Sequence, residues 1–256
     1  MEALNLPKPG RRVAPHPPLL RYYGDERQRE RYLEQSFRET APHYDGINRW
    51  MSLWTDRWYR RQALLRAGLA PGMSVADVGC GTGIASALAR DIVGPGGHVI
   101  SIDPSAGMLA EAVRSGRAAA PVLGKAEALP LGDATVDFLC MSFALRHVAD
   151  LHTTFAEYLR VLRPGGRLLL LEMTPPPRGA LRHVLKAYMR YVVPSLTRIT
   201  TGSAAATVLY AYCWDTFEQC VPPATVLETL ADVGFERPER HVVVRIFSEY
   251  GAFKAP

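Results

Sequence analysis

An α/β fold built on a doubly wound, mostly parallel sheet is predicted by three observations. Strand-like apolar runs alternate with helix-compatible segments from Ser74 to Glu172. The clusters Gly94-Pro95-Gly96-Gly97 and Arg163-Pro164-Gly165-Gly166 punctuate them as helix-to-strand turns. The stretch Val75-Ala76-Asp77-Val78-Gly79-Cys80-Gly81-Thr82-Gly83 leads an apolar run into a glycine turn, and Asp103 follows twenty positions after Gly83. Such alternation implies parallel strands joined by right-handed crossovers, which put the glycine turn and Asp103 on one carboxyl edge.

Taken in order, residues 1–20 are rich in Pro and basic residues without a period, and read as a flexible arm. Asp25 to about Thr40 is charged and helix-compatible. Pro42 is expected to break that helix, with Tyr44-Asp45-Gly46 as a turn. A second helix is expected from about Asn48 to Ala67, stopped by Gly68 and Pro71-Gly72. Trp50, Trp54 and Trp58 recur every four residues on one of its faces. That stripe reads as core, or, with Tyr188, Tyr191 and Trp214, as an apolar wall for a long hydrocarbon. Strands are expected at 74–78, 98–102, 120–124, 136–141 and 167–172, and helices at 84–93, 105–115 and 151–162. Pro175-Pro176-Pro177 breaks the alternation. Residues 178–215 are helical in character but irregular, with Pro194 as an interruption. A helix follows Pro222-Pro223 up to Gly234, and 238–254 suits a closing hairpin. The expected division is an arm and helix over 1–40 and one main domain over 41–256. Residues 178–220 would form a cap insertion overhanging the carboxyl edge.

Composition narrows the function classes. The chain has 256 residues and 48% hydrophobic content, ordinary for a globular protein. No apolar run reaches the roughly 18–20 residues of a membrane span. The start MEALNLPKPGRR lacks the apolar core of a secretory signal. A cytoplasmic place, or one on the inner face of a membrane, is therefore expected. Cysteines at 80, 140, 213 and 220 show no CxxC spacing, so neither a zinc site nor a redox pair is expected, and Cys80 and Cys140 read as packing residues. The formal charge of +5 suits an anionic surface or substrate but is too dispersed to indicate nucleic acid. The sequence leaves a homodimer open.

The glycine turn separates cofactors. A dinucleotide fingerprint needs G-x-G-x-x-G, but its third glycine would fall at Ile84 or Ser86. A P-loop would end in Gly-Lys-Ser/Thr, which is missing. What remains, D-x-G-x-G-x-G, suits a zwitterionic amino acid tail: the amides opening the next helix face a carboxylate, and Asp77 faces an ammonium group. S-adenosylmethionine is the expected cofactor. Gly79, Gly81 and Gly83 would let the backbone approach it. Asp103 would accept the ribose hydroxyls. Met108 is spaced to pack on a purine, although a core methionine explains it equally well.

Beyond these patterns lie residues with a more specific likeness. Ala41-Pro42-His43-Tyr44-Asp45 leads to Asn48 and Met51-Ser52, and Ser142-Phe143-Ala144-Leu145-Arg146-His147-Val148-Ala149-Asp150 follows the fourth strand. With Leu129-Pro130, Val136-Asp137-Phe138 and Val161-Leu162-Arg163-Pro164-Gly165-Gly166, the chain resembles the menaquinone/ubiquinone-biosynthesis C-methyltransferases, the UbiE/MenG family, over about residues 37–255. The resemblance implies a Rossmann-like seven-stranded sheet with an antiparallel last strand, and methyl transfer to a ring carbon of a prenylated quinol. It also implies that Asp77, Gly79, Gly81, Gly83, Asp103, Ala126 and Ser142 line the cofactor, that Tyr44 closes over it, and that Arg146 faces the reacting ring. The chain departs from the family in several places, the Arg-rich 178–198 segment and Cys213-Trp214 among them. Lys125 stands where the family usually has Asp, or sometimes another polar residue, at the adenine amine, a role that Glu127 or backbone atoms alone would serve instead. His147 replaces an Asn, and the tail motif reads Val244-Arg245-Ile246-Phe247-Ser248-Glu249.

Those departures suggest chemistry. A ring carbon becomes nucleophilic once a ring hydroxyl loses its proton, and His147 is the expected base, with Arg146 at the phenolate oxygen. The alternatives are a His147 that caps a helix or points to solvent, and an Arg146 held in an ion pair with an acid such as Asp150. Glu172, ending the fifth strand, would contact substrate or support Arg146. Residues 182–199 mix basic and apolar positions in a way that suits peripheral contact with an anionic membrane. Other expected substrates are natural-product phenols or carbons and phospholipid amines, and a non-catalytic cofactor-binding protein is the weakest alternative. A nucleic-acid amino-methyltransferase would need an Asn/Asp-Pro-Pro-Tyr/Phe loop where this chain reads Cys140-Met141-Ser142-Phe143.

Overall fold

The computed structural model describes residues 12–52, 55–176 and 179–256, and for Trp50 and Met51 the backbone alone. Two helices, α1 (Glu26–Met51) and α2 (Asp56–Arg66), precede the sheet. The alternating region follows as β1 (Ser74–Val78), α3 (Ile84–Val93), β2 (His98–Asp103), α4 (Ala106–Arg114), β3 (Ala120–Leu123), β4 (Val136–Ser142), a 3₁₀ turn (Leu145–His147), α5 (Leu151–Val161) and β5 (Leu162–Met173). A helical cap comprises α6 (Ala180–Ala187), a π turn (Tyr188–Val192), α7 (Val193–Thr201) and α8 (Ala204–Gln219). Finally α9 (Pro223–Val233) leads to β6 (Glu236–Val243) and β7 (Phe247–Phe253).

The strands form one seven-stranded sheet in the order β3-β2-β1-β4-β5-β7-β6. Pairings from β3 through β5 are parallel, and β7 runs antiparallel to both β5 and β6. Strand periodicity sorts the core into two layers. Val78, Leu139, Met141, Leu168 and Leu170 pack on the α5/α9 side with Phe155 and Tyr158. Val75, Phe138, Cys140, Leu169 and Leu171 pack on the α2/α3 side with Leu64 and Leu88. Each such side chain, fully buried, contributes about 1.5–3 kcal/mol. Local signals set the helix ends: Ser105 Oγ accepts from the Met108 amide, Asp150 Oδ2 accepts from Thr153 N–H at 2.9 Å, and Gly234 ends α9 in the left-handed region.

The expected strands and internal helices agree with the structure to within a residue or two, except that β5 starts earlier, at Leu162. The amino-terminal region differs. Pro42 does not break the first helix: α1 runs through it and through Tyr44-Asp45-Gly46 to Met51. A proline inside a helix forfeits one backbone hydrogen bond. Burial on both sides offsets that loss, since Thr40, Ala41 and Ile47 are all buried. The Asp45 carboxylate also accepts from the Thr82 hydroxyl at 2.5 Å and from the Arg117 guanidinium, tying α1 to the glycine turn. The expected boundary at residue 40 therefore falls inside one helix.

The stretch expected as a flexible arm is fixed from Val13 onward. Val13 N–H donates to Asp150 Oδ1, Val13 O accepts from Leu151 N–H, and Pro15 O accepts from Val221 N–H. Leu19 and Tyr23 bury against Leu209 and Tyr212. Of the tryptophan stripe, Trp54 and the Trp50 side chain lie outside the described residues. Trp58 is 67% exposed, so it is not core. Pro194 does not interrupt the cap. It sits in the first turn of α7, where its missing N–H costs little, and the π turn before it absorbs the change in spacing.

Candidate functional site

The carboxyl edge of β1, β2 and β4 opens on a cavity of about 360 Å³ roofed by α1. Tyr44, Gly79, Gly81, Asp103, Met108, Ala126, Glu127, Ser142 and His147 line it. The three remaining predicted residues, Asp77, Gly83 and Arg146, do not.

The glycines of the turn differ in what they make room for. A Cβ on Gly79 would come within 2.7 Å of Ala144 Cβ, and one on Gly83 within 2.9 Å of Arg117 Cβ, so these two allow close packing within the protein. Gly81 has a φ of +56° and an added Cβ would meet nothing within 4 Å. It is the glycine of the turn that leaves open space where a ligand backbone would lie.

Asp103 ends β2 and fixes this edge. Its Oδ2 accepts from Gly81 N–H and its Oδ1 from Ser105 N–H, each at 2.8 Å. A carboxylate has about four lone-pair sites, so one on each oxygen stays free to face the cavity. Burial pushes this carboxyl up to about 6, against the two amides that favour its charged form. Asp77 lies one layer behind. It shares a strand face with Val75, which directs it at α3: the Ser86 hydroxyl donates to Asp77 Oδ2 at 2.6 Å, and the Ser101 hydroxyl donates to Ser86 Oγ at 2.8 Å. The Cys140 thiol approaches Asp77 Oδ1 at 3.6 Å, in keeping with a packing role for that cysteine.

Beyond β4 the chain turns sharply. Phe143 has a φ of +60°, unusual for a bulky residue. Its N–H donates to Leu171 O at 2.7 Å and its ring packs with Tyr59 and Phe247, so the surroundings hold the strained residue. The turn delivers Arg146 and His147 in opposite directions. Arg146 is 8% exposed and donates to Glu172 Oε1 at 2.5 Å. Burial opposes its charge, but Glu172 more than compensates, so the guanidinium stays ionised. The partner is thus Glu172, the residue expected to support it, whereas Asp150 caps α5.

His147 faces the cavity between aromatic rings. Phe37 meets it edge-on at 5.2 Å and Tyr212 stacks at 5.8 Å. Its Nδ1 is buried without a hydrogen-bond partner. Burial, helped by the nearby Arg146 and Arg29 charges, holds the ring well below the usual imidazole value, so it is neutral at physiological pH. The backbone here is gripped from the amino-terminal side: Arg29, 5% exposed, donates to both His147 O and Val148 O at 2.7 Å. Arg29 and Phe37 line the cavity and were not foreseen; nor was Tyr212. They come from α1 and α8, remote in sequence, and no local motif marks them. Lys125 lines the cavity with its ammonium 2.8 Å from Glu30, bridging α1 across the mouth. Glu127 accepts from Ala149 N–H at 2.5 Å. Beside the aromatic residues, Tyr44 stacks on Tyr210 at 6.4 Å, next to an apolar cap cluster of Ile47, Met189, Val193, Trp214 and Phe217.

Comparison with known proteins agrees with this architecture. A model of the ubiE/COQ5 methyltransferase family matches residues 25–243. The demethylmenaquinone methyltransferase of Thermus thermophilus is 35% identical over 204 residues, covering 78% of this chain and 90% of the relative. The ubiquinone/menaquinone biosynthesis C-methyltransferase UbiE of Shewanella piezotolerans is 34% identical over 207 residues, covering 78% and 81%. Among solved structures, an S-adenosylmethionine-dependent methyltransferase from Aquifex aeolicus superposes with a TM-score of 0.55 at 22% identity, over 76% of this chain and 88% of that one. The phosphoethanolamine N-methyltransferase 2 of Haemonchus contortus, in complex with S-adenosylmethionine, gives 0.55 at 15% identity over 78% and 53%. The two structures speak to the fold; the family match and the sequence relatives speak to descent. The chain belongs to the ubiE/COQ5 methyltransferase family and is an S-adenosylmethionine-dependent methyltransferase.

Proposed function

We propose that this enzyme methylates a ring carbon of a prenylated quinol, a demethylmenaquinol or ubiquinol precursor, in quinone biosynthesis. One observation carries the reading: the cavity at the glycine edge is walled by the apolar and aromatic side chains of Leu33, Phe37, Tyr44 and Phe143, with His147 among them. A flat ring carrying a hydrocarbon tail suits such a wall. The names of the two relatives support the same acceptor class.

The residues at the edge fit the cofactor. Gly81 leaves open space, and Asp103 keeps a lone pair on each oxygen for the two ribose hydroxyls. The turn amides and the start of α3 would meet the carboxylate of the amino acid tail. Met108, Ala126 and Glu127 would surround the adenine, and Ser142 and Tyr44 would close the reacting end. Asp77 and Gly83 would act from behind, by fixing α3 against β1. When bound, S-adenosylmethionine supplies an electrophilic methyl group on a sulfonium. The protein must align the acceptor with it, a task worth on the order of 7–11 kcal/mol.

The acceptor's hydroxyl must also lose its proton. Neutral His147, which lines the cavity, is assigned to take it at a ring nitrogen. Arg146 sits behind, its charge balanced by Glu172, and adds to the burial that leaves His147 unprotonated rather than touching the acceptor. Because the ring is held far below 6.5, the wild type should show no loss of activity from this histidine as pH falls through the usual imidazole range. His147→Asn should lower turnover about 10²-fold with the KM for cofactor unchanged. Unaltered turnover in that variant would remove the base. The acceptor class is tested by mass spectrometry of a whole-cell lipid extract incubated with purified enzyme and methyl-labelled cofactor. Label in a quinol is expected; label only in phenols or phospholipid amines would reject the assignment. Among the described residues no helix is long and apolar enough to cross a membrane, so an acceptor with a hydrocarbon tail would be met at a membrane face.

A further inference from the structure

The outer face of the cap has no role in the chemistry above. The helices α6 and α7, joined through the π turn, form one uninterrupted helical rod from Ala180 to Thr201. Its inner face buries Met189, Val193 and Thr197, spaced four apart, and α7 packs on α8. The opposite face leaves large apolar side chains in solvent: Val184 and Tyr191 are 65% exposed and Ile199 is 81% exposed. A soluble surface scatters such residues singly, whereas these recur along one rod. The charge is one-sided as well. From residue 179 to 214 the chain carries Arg182, Lys186, Arg190 and Arg198, and neither Asp nor Glu. Lys186 is engaged with Glu218 at 2.8 Å, while Arg190 and Arg198 are exposed.

We propose that this face is a peripheral docking surface for an anionic phospholipid bilayer. Apolar side chains flanked by arginines, without acidic residues, match the boundary between acyl chains and negative headgroups. A second copy of the chain is a poorer occupant, because pairing the face with itself would bring Arg190 and Arg198 against like charges. The surface stands on its own composition. Only its purpose, bringing the cavity to a lipid-soluble acceptor, rests on the quinol reading.

The test is flotation of the full-length protein with vesicles of phosphatidylcholine alone or mixed with phosphatidylglycerol, without cofactor or acceptor. Binding to the anionic vesicles that weakens with salt is expected. Neutralisation of Arg190 and Arg198 together to Gln should reduce partitioning by about tenfold to a hundredfold. Ile199→Ser with Tyr191→Ser should reduce it as well. Both variants change exposed side chains and should keep the wild-type melting temperature and cofactor affinity. Failure to bind anionic vesicles, or variants that bind as wild type does, would overturn the proposal. So would a dimer in light scattering that Ile199→Ser dissociates. None of these outcomes touches the quinol reading, which is judged on detergent-solubilised acceptor.

Discussion

An Asp103→Asn enzyme is expected to bind S-adenosylmethionine about 10²–10³-fold more weakly, because a charge-assisted hydrogen bond is lost and a second is weakened, at about 3–4 kcal/mol together. The amide nitrogen of Asn would also face either the Gly81 or the Ser105 N–H, donor against donor, where the wild-type oxygens accept at 2.8 Å. The same residue sets a pH dependence. Burial raises the Asp103 carboxyl to about 6 in the free protein. Ribose hydroxyls donate to the ionised form, so binding lowers that value. Affinity should therefore be full above pH 6 and fall about tenfold per pH unit below it, until the carboxyl of the complex also protonates. The stability of the free protein moves the other way. A raised carboxyl binds its proton more readily folded than unfolded, so this group adds stability as pH falls from about 6 towards its ordinary range. Calorimetric titration of wild type and Asp103→Asn across that window checks both, and the variant's affinity should be flat with pH.

The second large effect lies in the Arg146–Glu172 pair. Both residues are nearly buried, at 8% and 3% exposure. Glu172→Gln leaves a guanidinium without its counter-charge in the interior and should cost about 3–5 kcal/mol, as should Arg146→Met in the opposite sense. At about 2–4 °C per kcal/mol for a chain of this size, the melting temperature should drop by about 6–20 °C in either variant. The double variant should recover most of that loss, since no charge is left unpaired. Thermal melts of the two single variants and the double variant give the coupling directly. Additive losses would show that the pair is not the unit described. Removing the Arg146 charge should raise the imidazole, while burial and Arg29 continue to hold it below its ordinary value.

Where the sequence was legible, the physics was local. Gly94-Pro95-Gly96-Gly97, Pro223 and Gly234 are punctuation that acts over a few residues, and the neighbouring elements start and stop as expected. The turn from Val78 to Gly83 and Asp103 announced the cavity for the same reason. Alternation along β1 also held information that the motif obscured. Asp77 shares the face of Val75, which packs towards α3, so its carboxylate had to meet Ser86 rather than the cavity. The failures were tertiary. Pro42 reads as a helix end, yet packing of Thr40, Ala41 and Ile47 carries α1 through it. The stretch after residue 12 has no period, yet its backbone bonds to Asp150, Leu151 and Val221 hold it in place. Asp150, the nearest acid downstream of Arg146, was the natural partner by distance along the chain. The sheet brings Glu172 closer by setting β4 beside β5. The aromatic packing around His147 was hidden in the same way, because Phe37 and Tyr212 meet it only after α1 and α8 have packed together.

The most direct measurement is the position of the transferred methyl group. Purified enzyme is given reduced demethylmenaquinone or a demethylated ubiquinol precursor in detergent, with isotopically labelled cofactor, and the product is examined by nuclear magnetic resonance. A methyl resonance of the aryl-carbon type, absent in the Asp103→Asn enzyme at the same cofactor concentration, is the predicted result. A label found only as an aryl ether, or no transfer to either quinol while the cofactor binds normally, would contradict it.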